Sequence, residues 1–113
     1  MGDKGALVTS NAGMRLIAQQ TLLNRGDADR LRHFIRESYT PDALETQSVD
    51  DRLADLQQTG KQRVFQVLAV DKHQALVLMQ AQRDEGLYMT QINVEEDYPH
   101  RITVYSQQPL NEA

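Results

Sequence analysis

The chain has 113 residues, 12 Lys and Arg against 16 Asp and Glu, a net charge of −4 and no cysteine. That length suits one domain with a small hydrophobic core, and 40% apolar with 25% charged residues is the balance of a folded, soluble chain. Scattered cations argue against a nucleic-acid partner, and the lack of cysteine excludes disulfides, thiolate metal sites and a cysteine nucleophile.

No apolar run reaches the roughly 18–20 residues that span a bilayer, so no membrane partner is expected. Met1 to Gly5 lacks the apolar core of a signal peptide. Residues 1–9 read as a flexible lead. A first helix is predicted over Asn11 to Arg25, with Met14, Leu16, Ile17, Leu22 and Leu23 as its apolar stripe. Ser10 or Asn11 can cap its start and Gly26 its end. Asp27 caps a second helix, Ala28 to Ser38, whose stripe is Leu31, Phe34 and Ile35. Tyr39-Thr40-Pro41 stops it, because a residue before proline is pushed out of helical geometry. Ser48 caps a third helix carrying Val49, Leu53 and Leu56, with Asp50 and Asp51 matching the dipole of its first turn and Gly60 closing it.

From Arg63 onward the chain turns rich in Val, Ile, Leu, Tyr and Thr. Strands are predicted over Arg63–Val70, Gln74–Gln82, Leu87–Val94 and His100–Ser106. Gly86 supplies a positive φ to the Asp84-Glu85-Gly86 turn. Short connections make the strands antiparallel neighbours. The fold class is therefore α+β, three N-terminal helices packed on a curved four-stranded antiparallel sheet, with the domain at 10–108 and a frayed tail at 109–113. Alternation places Val64, Leu68 and Val70 on one face of the first strand and Phe65, Val67 and Ala69 on the other. In the second strand Ala75, Val77, Met79 and Ala81 oppose Leu76 and Leu78. Both sheet faces are partly apolar and three helices cover one of them. A homodimer through the open sheet face follows as an expectation.

Chemistry-bearing motifs are sparse. There is no P-loop, G-x-G-x-x-G, H-E-x-x-H or G-x-S-x-G. His33, His73 and His100 stand in three separate elements without zinc-ligand spacing, so neither a metal nor another cofactor is expected. The carboxylate pairs Asp27/Asp29 and Asp50/Asp51 and the run Glu95-Glu96-Asp97 are explained by caps and turns. The strand interiors carry Gln66, Gln80, Gln82, Gln91 and Asn93 but no acid. His33, beside the apolar stripe, and Tyr39, able to orient a carbonyl, are the weak catalytic candidates. Phe34, Tyr39, Phe65 and Tyr88 are the candidate walls of an apolar ligand pocket.

Several segments carry a family resemblance: Leu22-Leu23-Asn24-Arg25-Gly26-Asp27, Leu31-Arg32-His33-Phe34-Ile35, Ser38-Tyr39-Thr40-Pro41-Asp42-Ala43-Leu44, Val49 to Leu56, and Tyr98-Pro99-His100-Arg101-Ile102-Thr103. With helices preceding a curved antiparallel sheet, the chain resembles the NTF2-like (SnoaL-like, cystatin-like fold) superfamily. From Ala18 to Thr103 it looks most like the NTF2-like domain that accompanies beta-lactamase-related serine hydrolases. The resemblance implies a concave sheet enclosing a pocket, dimers, and either binding of a small apolar molecule or an accessory role beside a hydrolase. It implies no hydrolase activity, since this chain has no nucleophile motif. Helix stands at 40–60 where the superfamily usually has its first strands. The expected function is a non-catalytic binding or dimerisation module. The competing expectation is a small isomerase, cyclase or dehydratase acting on a carbonyl compound.

Overall fold

The computed structural model describes residues 4–110, which form five helices and four strands. The helices are α1 (Lys4–Thr9), α2 (Asn11–Arg25), α3 (Ala28–Ser38), α4 (Pro41–Thr46) and α5 (Val49–Thr59). The strands are β1 (Gln62–Val70), β2 (Gln74–Ala81), β3 (Leu87–Val94) and β4 (Ile102–Pro109). They form one antiparallel meander in the order β1-β2-β3-β4, and the helices pack on one face of it. The α+β architecture expected from the sequence is thus the one observed.

Local chemistry explains the helix boundaries. Ser10, Asp27, Thr40 and Ser48 each accept a hydrogen bond from the backbone N–H three residues on, satisfying one orphan donor of the first turn. Gly26 ends α2 at φ +75°, a left-handed conformation that costs glycine nothing. Ser10 also donates to the Asp71 carbonyl at 2.6 Å, which pins the start of α2 to the β1–β2 turn.

The N-terminal segment corrects the expectation of a flexible lead. Lys4–Thr9 is helical and Leu7 is only 1% exposed. It folds back on α2 because residue 13 is glycine: a Cβ there would stand 1.8 Å from the Leu7 carbonyl oxygen. At the other end β4 reaches Pro109, and the Leu110 N–H bonds to the Leu87 carbonyl, where a frayed tail was expected. The parts of both expectations that fall on residues 1–3 and 111–113 lie outside the described residues.

The helix face of the sheet carries Val67, Ala75, Val77, Met79, Ile92 and Ile102, all buried against Leu16, Leu31, Ile35 and Leu53. Register shifts in β1, between Val64 and Gln66 and between Val67 and Ala69, break strict alternation. Val64, Val67 and Val70 therefore share the helix face, and Phe65 stands on a bulge, 46% exposed. That differs from the simple parity assigned from sequence. The α2 stripe differs too. Its buried face is Ala12, Gly13, Leu16, Gln19, Gln20 and Leu23, while Met14 is 50% exposed. The β2–β3 connection places Glu85, not Gly86, at positive φ. Asp84 Oδ1 accepts from the Gly86 N–H at 2.9 Å and holds that turn.

Candidate functional site

The five residues singled out from sequence do not meet at one place. His33 is exposed and Phe34 half-buried, and both line a shallow groove of about 540 Å³ between α2 and α3, on the side away from the sheet. Phe65 is on its exposed bulge. Tyr88 is half-buried near one end of the sheet, paired with Met79 and Pro109. Only Tyr39 enters the interior, at 2% exposure.

Tyr39 is brought there by the end of α3. Pro41 forbids helix at Thr40, so the chain turns extended and forms a parallel bridge to Ile102, with Thr40 N–H donating to the Ile102 carbonyl at 3.0 Å. The ring is carried between the helices and the sheet. Its hydroxyl donates to Gln19 Oε1 at 2.6 Å. On its face lies the Arg52 guanidinium, 4.6 Å from the ring centroid. Arg52 is itself 8% exposed, and it donates to the backbone carbonyls of Ala43 at 2.7 Å and Gln47 at 3.0 Å. One cation thus satisfies the last carbonyls of α4, covers the Tyr39 ring and starts α5.

Tyr105 approaches the same cluster from β4. It shares the helix face with Ile92, so its ring points inward, and its hydroxyl is buried. Burial pushes its ionisation far above the usual phenol range, and the neighbouring Tyr39 pushes the same way. Tyr39 is also raised by burial, against the smaller opposing influence of Arg52 and Gln19. Hydrogen bonding from the Gln19 side chain opposes the rise at Tyr105, so the two buried groups lean on each other although their geometry falls short of a full bond.

A second polar layer adjoins the first. Gln107 Nε2 donates to Gln62 Oε1 at 2.8 Å and to Thr90 Oγ1 at 2.9 Å. Gln62 and Thr90 are fully buried. The Gln62 backbone is closed by Asn24, whose amide donates to its carbonyl at 2.7 Å and accepts from its N–H at 3.0 Å. This layer is satisfied within itself.

One cleft borders the cluster. Gln47, Arg52, Asp55, Leu56, Gln58 and Thr59 form one wall and Tyr105 to Gln108 the other, around a volume of about 380 Å³ between α5 and the edge strand β4. Two of the cluster's members, Arg52 and Tyr105, are in these walls. The lining is mainly polar, unlike the apolar pocket expected from sequence. Its glutamines and hydroxyls both donate and accept, Arg52 only donates and Asp55 only accepts. Neither tyrosine releases its proton near neutrality, and Asp55, the one acid in the lining, already accepts from Gln47 Nε2 at 2.6 Å.

The described residues hold no group of three or more His, Asp or Glu side chains arranged for a metal ion. No described helix is long and apolar enough to cross a membrane. Comparison with protein-family models, with curated proteins and with solved structures returned no match for this chain.

Proposed function

We propose that the chain is a non-catalytic NTF2-like binding domain whose ligand occupies the cleft between α5 and β4. The observation that carries this reading is the cleft itself, a partly enclosed volume of about 380 Å³ with Tyr105 and Arg52 in its walls. A recess of that size lies within the range that holds small molecules. The order of elements, helices first and then a bulged antiparallel meander, is what the family resemblance implies. The polar lining favours an amphipathic ligand over a purely apolar one. An accessory role beside a serine hydrolase is compatible with such a domain and belongs to the same proposal.

A fragment library screened by ligand-observed NMR, followed by mapping on the protein's amide spectrum, tests it. The expected result is a set of hits whose perturbations centre on Leu56, Thr59 and Tyr105 to Gln108. Hits confined to other surfaces, or none at millimolar concentration, would remove the reading.

Pairing of two copies is the second part of the proposal, and a specific observation favours it. The sheet face away from the helices presents Leu76, Leu87, Met89 and Val104 among glutamines, and by register Arg63 is the only charged residue on it among the described strand residues. In a chain with 28 charged residues that is a sparse face. Glutamine both donates and accepts, so two such faces can meet without opposing like charges. Sedimentation equilibrium at micromolar concentration should show a dimer that Val104→Lys, at a 42% exposed position, dissociates. A wild-type monomer under those conditions would end this part.

A further inference from the structure

The kind of ligand the cleft takes can be read from the strand that forms one of its walls, given the binding role proposed above. We infer that the cleft receives an extended polypeptide segment of a partner protein, whose backbone adds to β4 as a fifth strand of the sheet.

Successive residues of a strand point to opposite faces of its sheet. Tyr105 and Gln107 are on the helix face and Ser106 and Gln108 on the other, yet all four line the cleft. One recess touches both sets only where it runs along the edge of the strand. β4 is last in the order β1-β2-β3-β4, so that edge carries backbone groups that no neighbouring strand receives. The register identifies them. The Leu110 N–H bonds to the Leu87 carbonyl, so in steps of two Gln108, Ser106 and Val104 spend their N–H and C=O groups on β3. The far side of β3 agrees: the Val94 N–H bonds to the His73 carbonyl, which turns Val94, Ile92 and Thr90 to β2 and leaves Asn93, Gln91 and Met89 for β4. Tyr105 and Gln107 therefore aim both backbone groups outward. Pro109 ends the run, since it has no N–H to offer.

Elsewhere the sheet edges are closed or blunted. At the start of β4 the Ile102 carbonyl already accepts from the Thr40 N–H at 3.0 Å. On the opposite edge the Asn24 amide takes the place of a strand, donating to the Gln62 carbonyl at 2.7 Å and accepting from its N–H at 3.0 Å. Two register shifts then bend β1, and Arg63 adds a charge. Bulges and charges keep sheet edges from pairing. Ile102 to Pro109 carries no charge, and its register with β3 is unbroken from Val104 to Pro109.

A second copy does not suit this edge. Two β4 strands joined about a two-fold axis would bring both helical layers to one side of the continuous sheet, where α5 already stands. A lone peptide strand brings no such layer. Tyr105 and Gln107 offer its backbone two donors and two acceptors. Its alternate side chains would meet Gln47, Gln58 and Thr59 on the facing wall. Those groups both donate and accept, and so suit serine, threonine, asparagine and glutamine.

The test uses the full chain and an acetylated, amidated peptide of alternating threonine and glutamine, flanked by lysines for solubility. Its control keeps the side chains and has every backbone nitrogen methylated. Amide hydrogen exchange is read by NMR. In the free chain the Tyr105 and Gln107 amides should exchange at least about 10-fold faster than those of Val104 and Ser106. Saturating peptide should slow Tyr105 and Gln107 at least about 10-fold and leave Val104 and Ser106 as they were. The methylated control should bind at least about 10-fold more weakly. Cleft perturbation without that alternation, or equal binding of the control, would overturn strand addition and leave the cleft as a binding site. So would small fragments that bind the cleft when the peptide does not. Failure of peptide and fragments alike to perturb Leu56, Thr59 or Tyr105 to Gln108 would overturn the binding role as well.

Discussion

The interface between helices and sheet has two regions built on opposite terms. In one, Leu16, Leu31, Ile35, Val77, Met79 and Ile92 are each no more than 1% exposed and present only hydrocarbon and a thioether. In the other, Gln19, Tyr39, Arg52 and Tyr105 fill comparable space with amides, phenols and a guanidinium. The first region is held by removal of apolar area from water, which is nondirectional and tolerant of small shifts. The second is held by directed bonds whose loss leaves desolvated groups behind. A core needs only the first. The second region adjoins the cleft, where Arg52 and Tyr105 are shared between the interior and the walls.

The contrast breaks most readily at the dry region. Ile35→Ala should lower unfolding free energy by about 2–5 kcal/mol, since the site is fully buried and packed on all sides. Urea denaturation monitored by circular dichroism measures it. Cleft binding, extrapolated to the folded fraction, should stay unchanged. A loss below about 1 kcal/mol would mean that α3 can collapse into the space and that the two regions are not mechanically distinct.

Arg52→Ala should be next in size, at about 2–3 kcal/mol, because two carbonyls lose a charged donor and the Tyr39 face loses its cation. Arg52→Lys should recover only part of this, since an ammonium cannot bridge the Ala43 and Gln47 carbonyls as a planar fork does. Unlike Ile35→Ala, both variants should also disturb amide resonances along α4 and the cleft. Full rescue by lysine would reduce the arginine to a point charge.

How much of this was legible beforehand follows the same division. The capping residues Ser10, Asp27 and Ser48 and the helix stops Gly26 and Gly60 could be read from sequence because each acts through its own backbone neighbourhood. The strands of the meander were legible from composition and turn spacing. The α1 helix was not, because it buries a single large side chain, Leu7, and its docking depends on the missing Cβ of Gly13 six residues away. Phe65 was misplaced because two bulges in β1 are invisible to a period-two reading. The polar cluster was missed for a deeper reason. Gln19 and Gln20 sit on the buried face of α2, where a search for apolar periodicity counts them as solvent-facing. Two adjacent glutamines in register with Ala12, Leu16 and Leu23 were the available signal. Tyr39 was the one candidate whose interior placement the structure shares with the sequence reading, and it is a support of the cluster through Gln19, with no unpaired donor of its own.

The smallest effect per group is also the one that separates the two regions most cleanly, because hydrocarbon does not titrate. In the unfolded chain the hydroxyls of Tyr39 and Tyr105 ionise near pH 10. In the fold, burial holds both protonated well above that. Below about pH 10 the two states bind the same protons and these groups leave stability independent of pH. Above it the unfolded chain has released protons that the native chain keeps, so stability falls as pH rises. Each hydroxyl contributes a slope of about 1.4 kcal/mol per pH unit, or about 2.7 for the two together. Tyr105→Phe removes one of them, and all other titrating groups cancel in the comparison. Urea midpoints of wild type and Y105F should therefore diverge from about pH 10 upward, with the variant the more resistant. Parallel curves between pH 10.5 and about 11.5 would mean that water reaches the Tyr105 hydroxyl, and with that the distinction between a dry core and a closed polar cluster would be lost.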